Sequence, residues 1–220
     1  MEGDRTRAGL SRVAVAAIGA YAGAQMVSQV TSLKIGVVLG QAVDMGTFVY
    51  PITFTLRDVV HKAAGRSAAR ALIVTCAVLN LFLAAYLAWT AGVPADPSWG
   101  LGEEYAAVLG PIWRLVLASM LAMVISELLD TEVYHLFVTR VTRRFQWLRV
   151  LVSNAVSVPV DNLVFAVCAF APVAVLGTEG LPWATVWSIF WVNLWVKGLV
   201  SVVSIPLIYA ARVPNRPEFD

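Results

Sequence analysis

The stretch SELLDTEVY, running from Ser126 to Tyr134, lies inside a long apolar segment that begins near Ile112. It places three carboxylates, those of Glu127, Asp130 and Glu132, where a membrane-spanning helix should have none. A charged side chain at the centre of a bilayer costs about 2.5–3.5 kcal/mol on insertion scales. Such a cost has to be offset by a partner, a water-filled cavity or a function.

Helical spacing divides this stretch into two faces. Glu127, Asp130 and Tyr134 follow one another at i, i+3 and i+7, so they share one face of a helix. Glu132 points elsewhere and lies closer to the next loop, where it is interpreted as a structural or interfacial acid.

The composition predicts an all-α integral membrane protein. The chain has 220 residues, of which 59% are hydrophobic and 14% charged, whereas a soluble domain carries about 25% charged residues. The net charge of +2 gives no indication of a nucleic-acid partner. Cys76 and Cys168 both lie in apolar runs, which indicates small buried hydrophobic residues rather than a disulfide framework.

Six apolar stretches are long enough to cross a bilayer, which needs about 20 residues. We predict a single domain, residues 1–220, formed by a bundle of six transmembrane helices, because a helix satisfies its own backbone hydrogen bonds in lipid. The predicted spans are roughly 10–30, 35–59, 68–91, 112–138, 148–176 and 183–210. The second span is interrupted by Asp44, Gly46 and Pro51, and a polar loop separates the third from the fourth.

The basic residues alternate between connections and so predict the orientation. Most of the 16 lysines and arginines fall in the N-terminal segment, in the second-to-third and fourth-to-fifth connections and in the C-terminal tail. The opposite side carries an acidic loop with Asp96, Glu103 and Glu104. By the positive-inside rule both termini are cytoplasmic, and the expected location is a multi-pass position in the lipid bilayer.

Polar residues of different spans fall at similar depths. Glu127, Asp130, Asp161 and Lys197 are predicted within a few ångströms of one depth, and Asn193 lies one turn before Lys197. One interpretation is that these groups form structural ion pairs and hydrogen bonds between helices. The count favours a second interpretation, a polar cavity, because Asp44, Glu127, Asp130 and Asp161 are four acids against one lysine.

Enzyme signatures are absent from the sequence. It contains no His-Glu-x-x-His, Gly-x-Ser-x-Gly or Walker motif. His61 and His135 do not form a metal-ligand spacing. We therefore predict a protein that is not an enzyme and has no metal or cofactor.

Four segments in chain order resemble the queuosine precursor transporter family, also called the vitamin-uptake-transporter-like family. They are YPITFTLRD at 50–58 with Gly65-Arg66 and Ala69-Arg70, then Leu129-Asp130 with Val133-Tyr134, then Ser153-Asn154 with Asp161–Phe165 and Ala169-Phe170, and finally Asn193 and Lys197 with Pro206. Two positions depart from the family pattern. Arg57-Asp58 stands where the family usually has Thr-Asp, and His61-Lys62 where an acidic residue often follows.

The resemblance implies a six-helix protein of the bacterial inner membrane that imports a queuosine precursor, chiefly 7-cyano-7-deazaguanine. It also implies a likeness to the binding subunits of energy-coupling-factor transporters, although the family is thought to work without their ATPase module. A carboxylate can accept the N1–H and amino group of a deazaguanine together, while Lys197 or Asn193 can donate to its carbonyl and nitrile. A homodimer is the candidate assembly.

The expected substrate-binding residues are Glu127, Asp130, Tyr134, Asp161, Asn162, Asn193, Lys197 and Phe48. Asp44, Asp58 and Arg57 are the candidates for proton coupling or gating. Two other functions stay open. One is a substrate-binding membrane subunit for a vitamin-like molecule that works with an energy-coupling ATPase, and the other is a structural membrane protein whose polar residues only pack helices.

Overall fold

The computed structural model describes residues 11–140, 146–172 and 180–210, and these ranges are mostly helical. Their helices are α1 (Arg12–Thr31), α2 (Tyr50–Ala64), α3 (Arg66–Gly92), α4 (Gly102–Leu109), α5 (Ile112–Arg140), α6 (Gln146–Phe170) and α7 (Trp183–Ala210). A two-stranded antiparallel hairpin, β1 (Ile35–Val38) and β2 (Gln41–Asp44), and a 3₁₀ turn (Met45–Phe48) connect α1 to α2. Helices α1, α3, α5, α6 and α7 lie over the first, third, fourth, fifth and sixth predicted spans.

The helix predicted for residues 35–59 is wrong in its first half, which forms the hairpin and the 3₁₀ turn. β-branched Ile35, Val37 and Val38 favour a strand. Leu39 and Gly40 connect the strands with φ angles of 52° and 78°, and two successive positive φ angles are those of the two-residue turn that suits a hairpin.

Two of the residues that were expected to interrupt the second span, Asp44 and Pro51, lie where the 3₁₀ turn and α2 begin. The Asp44 side chain accepts a hydrogen bond from the backbone N–H of Gly46 and so caps the 3₁₀ turn. Pro51 lies in the first turn of α2, where its missing N–H costs nothing, since the first N–H groups of a helix have no partner within that helix. Helix α2 is therefore only 15 residues long.

The connection after α3 also contains more structure than the predicted polar loop. Helix α4 begins with Glu103 and Glu104 in its first turn, where carboxylates interact favourably with the positive end of the helix dipole. Before α4, the Asp96 carboxylate accepts hydrogen bonds from the hydroxyl and the backbone N–H of Ser98, and these bonds lower the pKa of Asp96.

Within the described ranges, three helical segments are long and apolar enough to cross a membrane. They are Arg12–Thr31, Ser67–Gly92 and Gly102–Ser126, and a shorter apolar helix covers Ala155–Phe170. The protein is thus a helical membrane protein, while the number of six spans and the side on which the termini lie stay predictions.

Apolar side chains pack the helices into two groups. One cluster joins α1, α2 and α3 through Ala17, Tyr21, Val60 and Leu72. Another joins α5, α6 and α7, with Leu115, Ala118, Ala166, Ala169, Phe170, Ala171, Val186, Ile189 and Phe190 buried together. A small cluster of Ala84, Ile112 and Val116 connects α3 to α5. The groups meet around the 3₁₀ turn, which packs against α1, α2 and α7.

The close contact between α1 and the 3₁₀ turn predicts a strict requirement for glycine at position 46. A Cβ on Gly46 would overlap the Ser32 hydroxyl and the backbone carbonyl of Ser28. We expect Gly46→Ala to destabilise the protein by about 1–3 kcal/mol, the usual cost of overpacking, as measured by thermal unfolding in detergent.

The matched control is Gly23→Ala on α1, where an added Cβ meets nothing within 4 Å. Alanine has the higher helix propensity, so this variant should be as stable as the unmodified protein or more so. Equal stability of the two variants would contradict the packing described here.

Candidate functional site

A polar cavity lies where the two helix groups meet. Its volume is about 410 Å³, a figure that includes the open space at its mouth. Its lining side chains come from α1, the hairpin region, α2, α5, α6 and α7: Ser28, Gln29, Ser32, Asp44, Gly46, Thr47, Tyr50, Ser119, Ala122, Asp161, Phe165, Asn193 and Lys197. Two carboxylates and one ammonium group are among them.

The Asp44 carboxylate organises one wall of the cavity. Its Oδ1 accepts the Ser32 hydroxyl at 2.5 Å and the Gly46 backbone N–H at 2.9 Å. Its Oδ2 accepts the Thr47 hydroxyl at 2.7 Å and the Asn193 amide N–H at 3.1 Å. Four donors thus satisfy a carboxylate that is only 2% exposed, and they join α1, the 3₁₀ turn and α7.

Thr47 and Asn193 complete this network. The Thr47 hydroxyl lies between Asp44 Oδ2 and Asn193 Oδ1, and its single hydrogen can be donated to one of them at a time. Asn193 is 2% and Thr47 3% exposed. A network with nearly all of its donors and acceptors used holds its members rigidly, so this wall is a scaffold.

Another part of the lining carries an ion pair between α6 and α7. Lys197 Nζ lies 2.6 Å from Asp161 Oδ2, and the two side chains are 6% and 14% exposed. Asp161 Oδ1 accepts only a long hydrogen bond, 3.4 Å from the Ser126 hydroxyl. An ammonium group has three N–H donors, so both members of the pair keep hydrogen-bonding capacity next to the cavity.

Aromatic rings flank the pair. Lys197 Nζ lies 5.2 Å from the centroid of the Tyr50 ring, within the range of a cation–π contact. Phe165, one helical turn beyond Asp161 on α6, is the other aromatic residue that lines the cavity. The lining of the cavity thus combines aromatic surfaces with charged groups.

The break in the second predicted span lies directly at this cavity. Non-helical backbone at membrane depth is tolerated where it is buried in protein or lines a cavity, and transporters place their substrate sites at such discontinuous helices. Here Asp44, Gly46 and Thr47 supply both the irregular backbone and part of the lining.

The structure brings together four of the predicted functional residues, Asp44, Asp161, Asn193 and Lys197. The side chains of Glu127, Asp130 and Tyr134 on α5 and of Asp58 on α2 lie outside the described residues, so their roles stay predictions.

Three other predicted residues are described but do not line this cavity. Phe48 is 41% exposed, and Arg57 lies 5.8 Å from the ring centroid of Phe54, its neighbour on α2. Asn162 is fully buried, and neither polar atom of its side chain has a hydrogen-bond partner in the structure. Their roles also stay predictions.

Several lining residues, among them Ser28 and Ser32 at the end of α1, were missed by the sequence reasoning. Together with Gln25 and Gln29 they follow one another at i, i+3, i+4 and i+7, a polar stripe on an otherwise apolar helix. This spacing was a usable signal for α1. Thr47 had no such signal, because its position depends on the hairpin that replaces the expected helix.

No group of three or more His, Cys, Asp or Glu side chains that could hold a metal ion occurs in the described part of the chain. The polar groups that line the cavity are amides, hydroxyls, an ammonium group and two carboxylates. Each carboxylate already has a partner within the protein. Such a set suits an uncharged polar heterocycle.

A family model for the putative vitamin uptake transporter matches residues 44–211, most of the chain. Among curated proteins, a "Probable queuosine precursor transporter" of Bacillus subtilis (strain 168) is 28% identical over 185 residues, which cover 80% of this chain and 75% of that protein. No solved structure matches the chain. These findings confirm the family resemblance that the sequence motifs indicated.

The four hydrogen bonds to Asp44 predict that its charge supports the fold. Asp44→Asn places an amide N–H₂ next to the Asn193 amide N–H or the Gly46 backbone N–H, which can only donate hydrogen bonds. We expect a loss of at least about 2 kcal/mol, since buried polar groups are left unpaired, and a lower unfolding temperature in detergent.

Asp96→Asn is the matched control, because Asp96 also accepts two hydrogen bonds but lies in an exposed loop. It should unfold at the temperature of the unmodified protein. An Asp44→Asn variant as stable as this control would show that the Asp44 network does not hold the helices together.

Proposed function

We propose that this chain, which belongs to the putative vitamin uptake transporter family, imports a queuosine precursor, a planar 7-deazapurine such as 7-cyano-7-deazaguanine. Membership of this family makes it a membrane transporter and not an enzyme. The name of the curated relative supports the choice of substrate class. The observation that carries the proposal is the buried Lys197–Asp161 pair on the cavity wall.

The pair matches the edge of a deazaguanine ring. Asp161 can accept the ring N1–H and the neighbouring exocyclic amino group through an oxygen that has only one long hydrogen bond. Lys197 can donate to the ring carbonyl or to the nitrile. Tyr50 and Phe165 offer aromatic surfaces to the faces of the ring.

Specificity follows from the cost of unpaired groups. A purine that lacks the amino group would leave the Asp161 oxygen without its donor in a site that excludes most water, and sites of this kind reject such analogues strongly. The Asp44 network, whose hydrogen bonds are already made within the protein, would contribute little to the discrimination.

We place the protein in the bacterial inner membrane with six crossings and both termini in the cytoplasm. In this arrangement the hairpin, the 3₁₀ turn and α2 together make one crossing, since α2 has only 15 residues and needs the preceding segment to reach across about 30 Å of hydrocarbon. The distribution of lysine and arginine over alternate connections supports this orientation.

The ATPase-partnered subunit and the homodimer both stay predictions. Co-purification of the chain with an energy-coupling complex would favour the first. Uptake in cells that lack such a complex would favour a transporter that works by itself.

If the Lys197–Asp161 pair binds the substrate, substitution of either residue should lower transport. Lys197→Met and Asp161→Asn should each lower the uptake of labelled 7-cyano-7-deazaguanine by roughly tenfold or more, because a hydrogen bond to a charged group contributes about 1.5–3 kcal/mol. Uptake is measured in cells that cannot synthesise queuosine, and queuosine in their tRNA gives a second readout.

Removing one member of a buried pair also destabilises the fold, so the double variant serves as the control for folding. Asp161→Asn combined with Lys197→Met leaves no unpaired charge and should restore thermal stability without restoring uptake. Normal uptake by both single variants would show that the pair only packs helices.

The orientation predicts which loops face the outside. In a background without Cys76 and Cys168, a cysteine introduced by Ser98→Cys between α3 and α4 should react with a membrane-impermeant maleimide on intact cells. A cysteine introduced by Ser67→Cys at the start of α3 should react only after the cells are permeabilised. The reverse pattern would invert the topology.

A further inference from the structure

A second void adjoins the cavity described above. Its volume is about 340 Å³ with its mouth included, and it lies among α1, α3, α5 and the start of α2. Gln29, Tyr50 and Ser119 line both spaces. The two voids are thus neighbours that share a wall of three side chains.

The two chambers differ in chemistry. The first contains the Lys197–Asp161 pair and Asp44. The second has no charged side chain in its lining, and its polar groups include the amides of Gln25, Gln29 and Asn80. Each amide offers both donors and an acceptor, which suits a neutral heterocycle whose edges alternate between N–H groups and acceptor atoms.

One of these amides has an unused acceptor. Asn80 is 7% exposed, and its Oδ1 has no hydrogen-bond partner in the structure. A buried acceptor without a donor is unfavourable and is normally satisfied by protein, water or ligand. Because Asn80 lines the second chamber, a donor that enters this chamber can supply the missing bond.

The shared wall contains a group that connects the chambers. The Tyr50 ring lies 5.2 Å from Lys197 Nζ on the side of the first chamber and lines the second chamber as well. Tyr50 is the first residue of α2 and follows shortly after the end of the 3₁₀ turn at Phe48.

The position of the second chamber fits the cytoplasmic half of an import path. Its α1 residues run from Gln29 through Gln25 to Tyr21, which is towards the start of α1. Its α3 residues likewise run from Asn80 through Cys76 to Ile73, towards the start of α3. In the proposed orientation both helices start at the cytoplasmic side.

We infer that the amide-lined chamber is a second binding station, which receives the planar substrate from the ionic cavity past Tyr50 before release to the cytoplasm. The inference rests on the proposed function and deepens it. Asn80 is its specificity-determining residue, accepting a hydrogen bond from a substrate N–H, and Gln25 and Gln29 complete the recognition of the ring edge.

Two variants on α3 test the station by uptake of labelled 7-cyano-7-deazaguanine. Asn80→Leu removes the acceptor at similar volume, and Ala77→Leu fills the chamber without touching the ionic cavity. We expect uptake to fall by roughly tenfold in Asn80→Leu, about the loss of one hydrogen bond made only with substrate. Ala77→Leu should also lower uptake, because its larger side chain occupies space in the chamber. Ala85→Leu, at an exposed position of the same helix, is the control and should take up the probe normally.

Thermal stability separates this role from a structural one. Asn80→Leu removes a buried acceptor that makes no hydrogen bond among the described residues, and an unpaired buried acceptor is itself unfavourable, so this variant should lose uptake and keep its unfolding temperature. An uptake loss that is matched by a lower unfolding temperature in both variants assigns the residues to packing and overturns the inference.

The thiol of Cys76 gives a test in a protein with an unmodified chamber. Cys76 lines the second chamber, and Cys168→Ala removes the other cysteine of the chain. N-Ethylmaleimide should alkylate Cys76, and 7-cyano-7-deazaguanine should slow this reaction by roughly tenfold when present at about ten times its Kd. Failure of the reagent to enter, or equal rates with and without the deazapurine, overturns the second station.

The two proposals can fail separately. If the unmodified protein takes up no 7-deazapurine, the proposed function fails. If it does take up the probe, while Asn80→Leu and Ala77→Leu do so equally well and Cys76 is not protected, only the second station fails.

Discussion

The fold around the cavity depends on the Asp44 carboxylate. Its four hydrogen bonds come from α1, from the 3₁₀ turn and from α7, which belong to different parts of the chain. A buried carboxylate is costly unless it is paired or fully hydrogen-bonded, so these elements are constrained to meet around it. The same constraint buries Asp44, Gly46 and Thr47 where the 3₁₀ turn packs against α1, α2 and α7.

The two polar clusters of the cavity divide the tasks of structure and recognition. Asp44 is surrounded by donors and fixes the geometry, whereas Asp161 and Lys197 pair with each other and keep free hydrogen-bonding capacity. Protein groups that have no hydrogen-bond partner until the ligand binds contribute to the binding free energy. A rigid protein frame lowers the entropic cost of binding. In the inferred second station, the neutral groups of the amide chamber would extend this arrangement and allow the substrate to be released.

Much of the helical part of the fold was predictable from residue patterns. The long apolar segments gave α1, α3, α5, α6 and α7 close to their observed positions, because a helix in lipid is decided by the hydrophobicity of consecutive residues. The Asp161–Lys197 contact was predictable as well, since an acid and a lysine at similar depth in apolar helices favour pairing. The hairpin was missed because apolar β-branched residues such as Ile35 and Val37 suit a strand and a membrane helix equally, and only the Leu39-Gly40 turn distinguishes them.

By itself, the sequence determined that this is a helical membrane protein, which family it belongs to and which charged residues lie among its apolar helices. These properties are local, since they depend on composition and on motifs of neighbouring residues. Only the tertiary structure decided that Asp44 serves as a scaffold, that Thr47 and Tyr50 reach the cavity, and that Asn80 faces a second chamber. The physical reason is that hydrogen-bond saturation depends on which donors other helices bring within about 3 Å, and the spacing of residues along one helix does not contain that information.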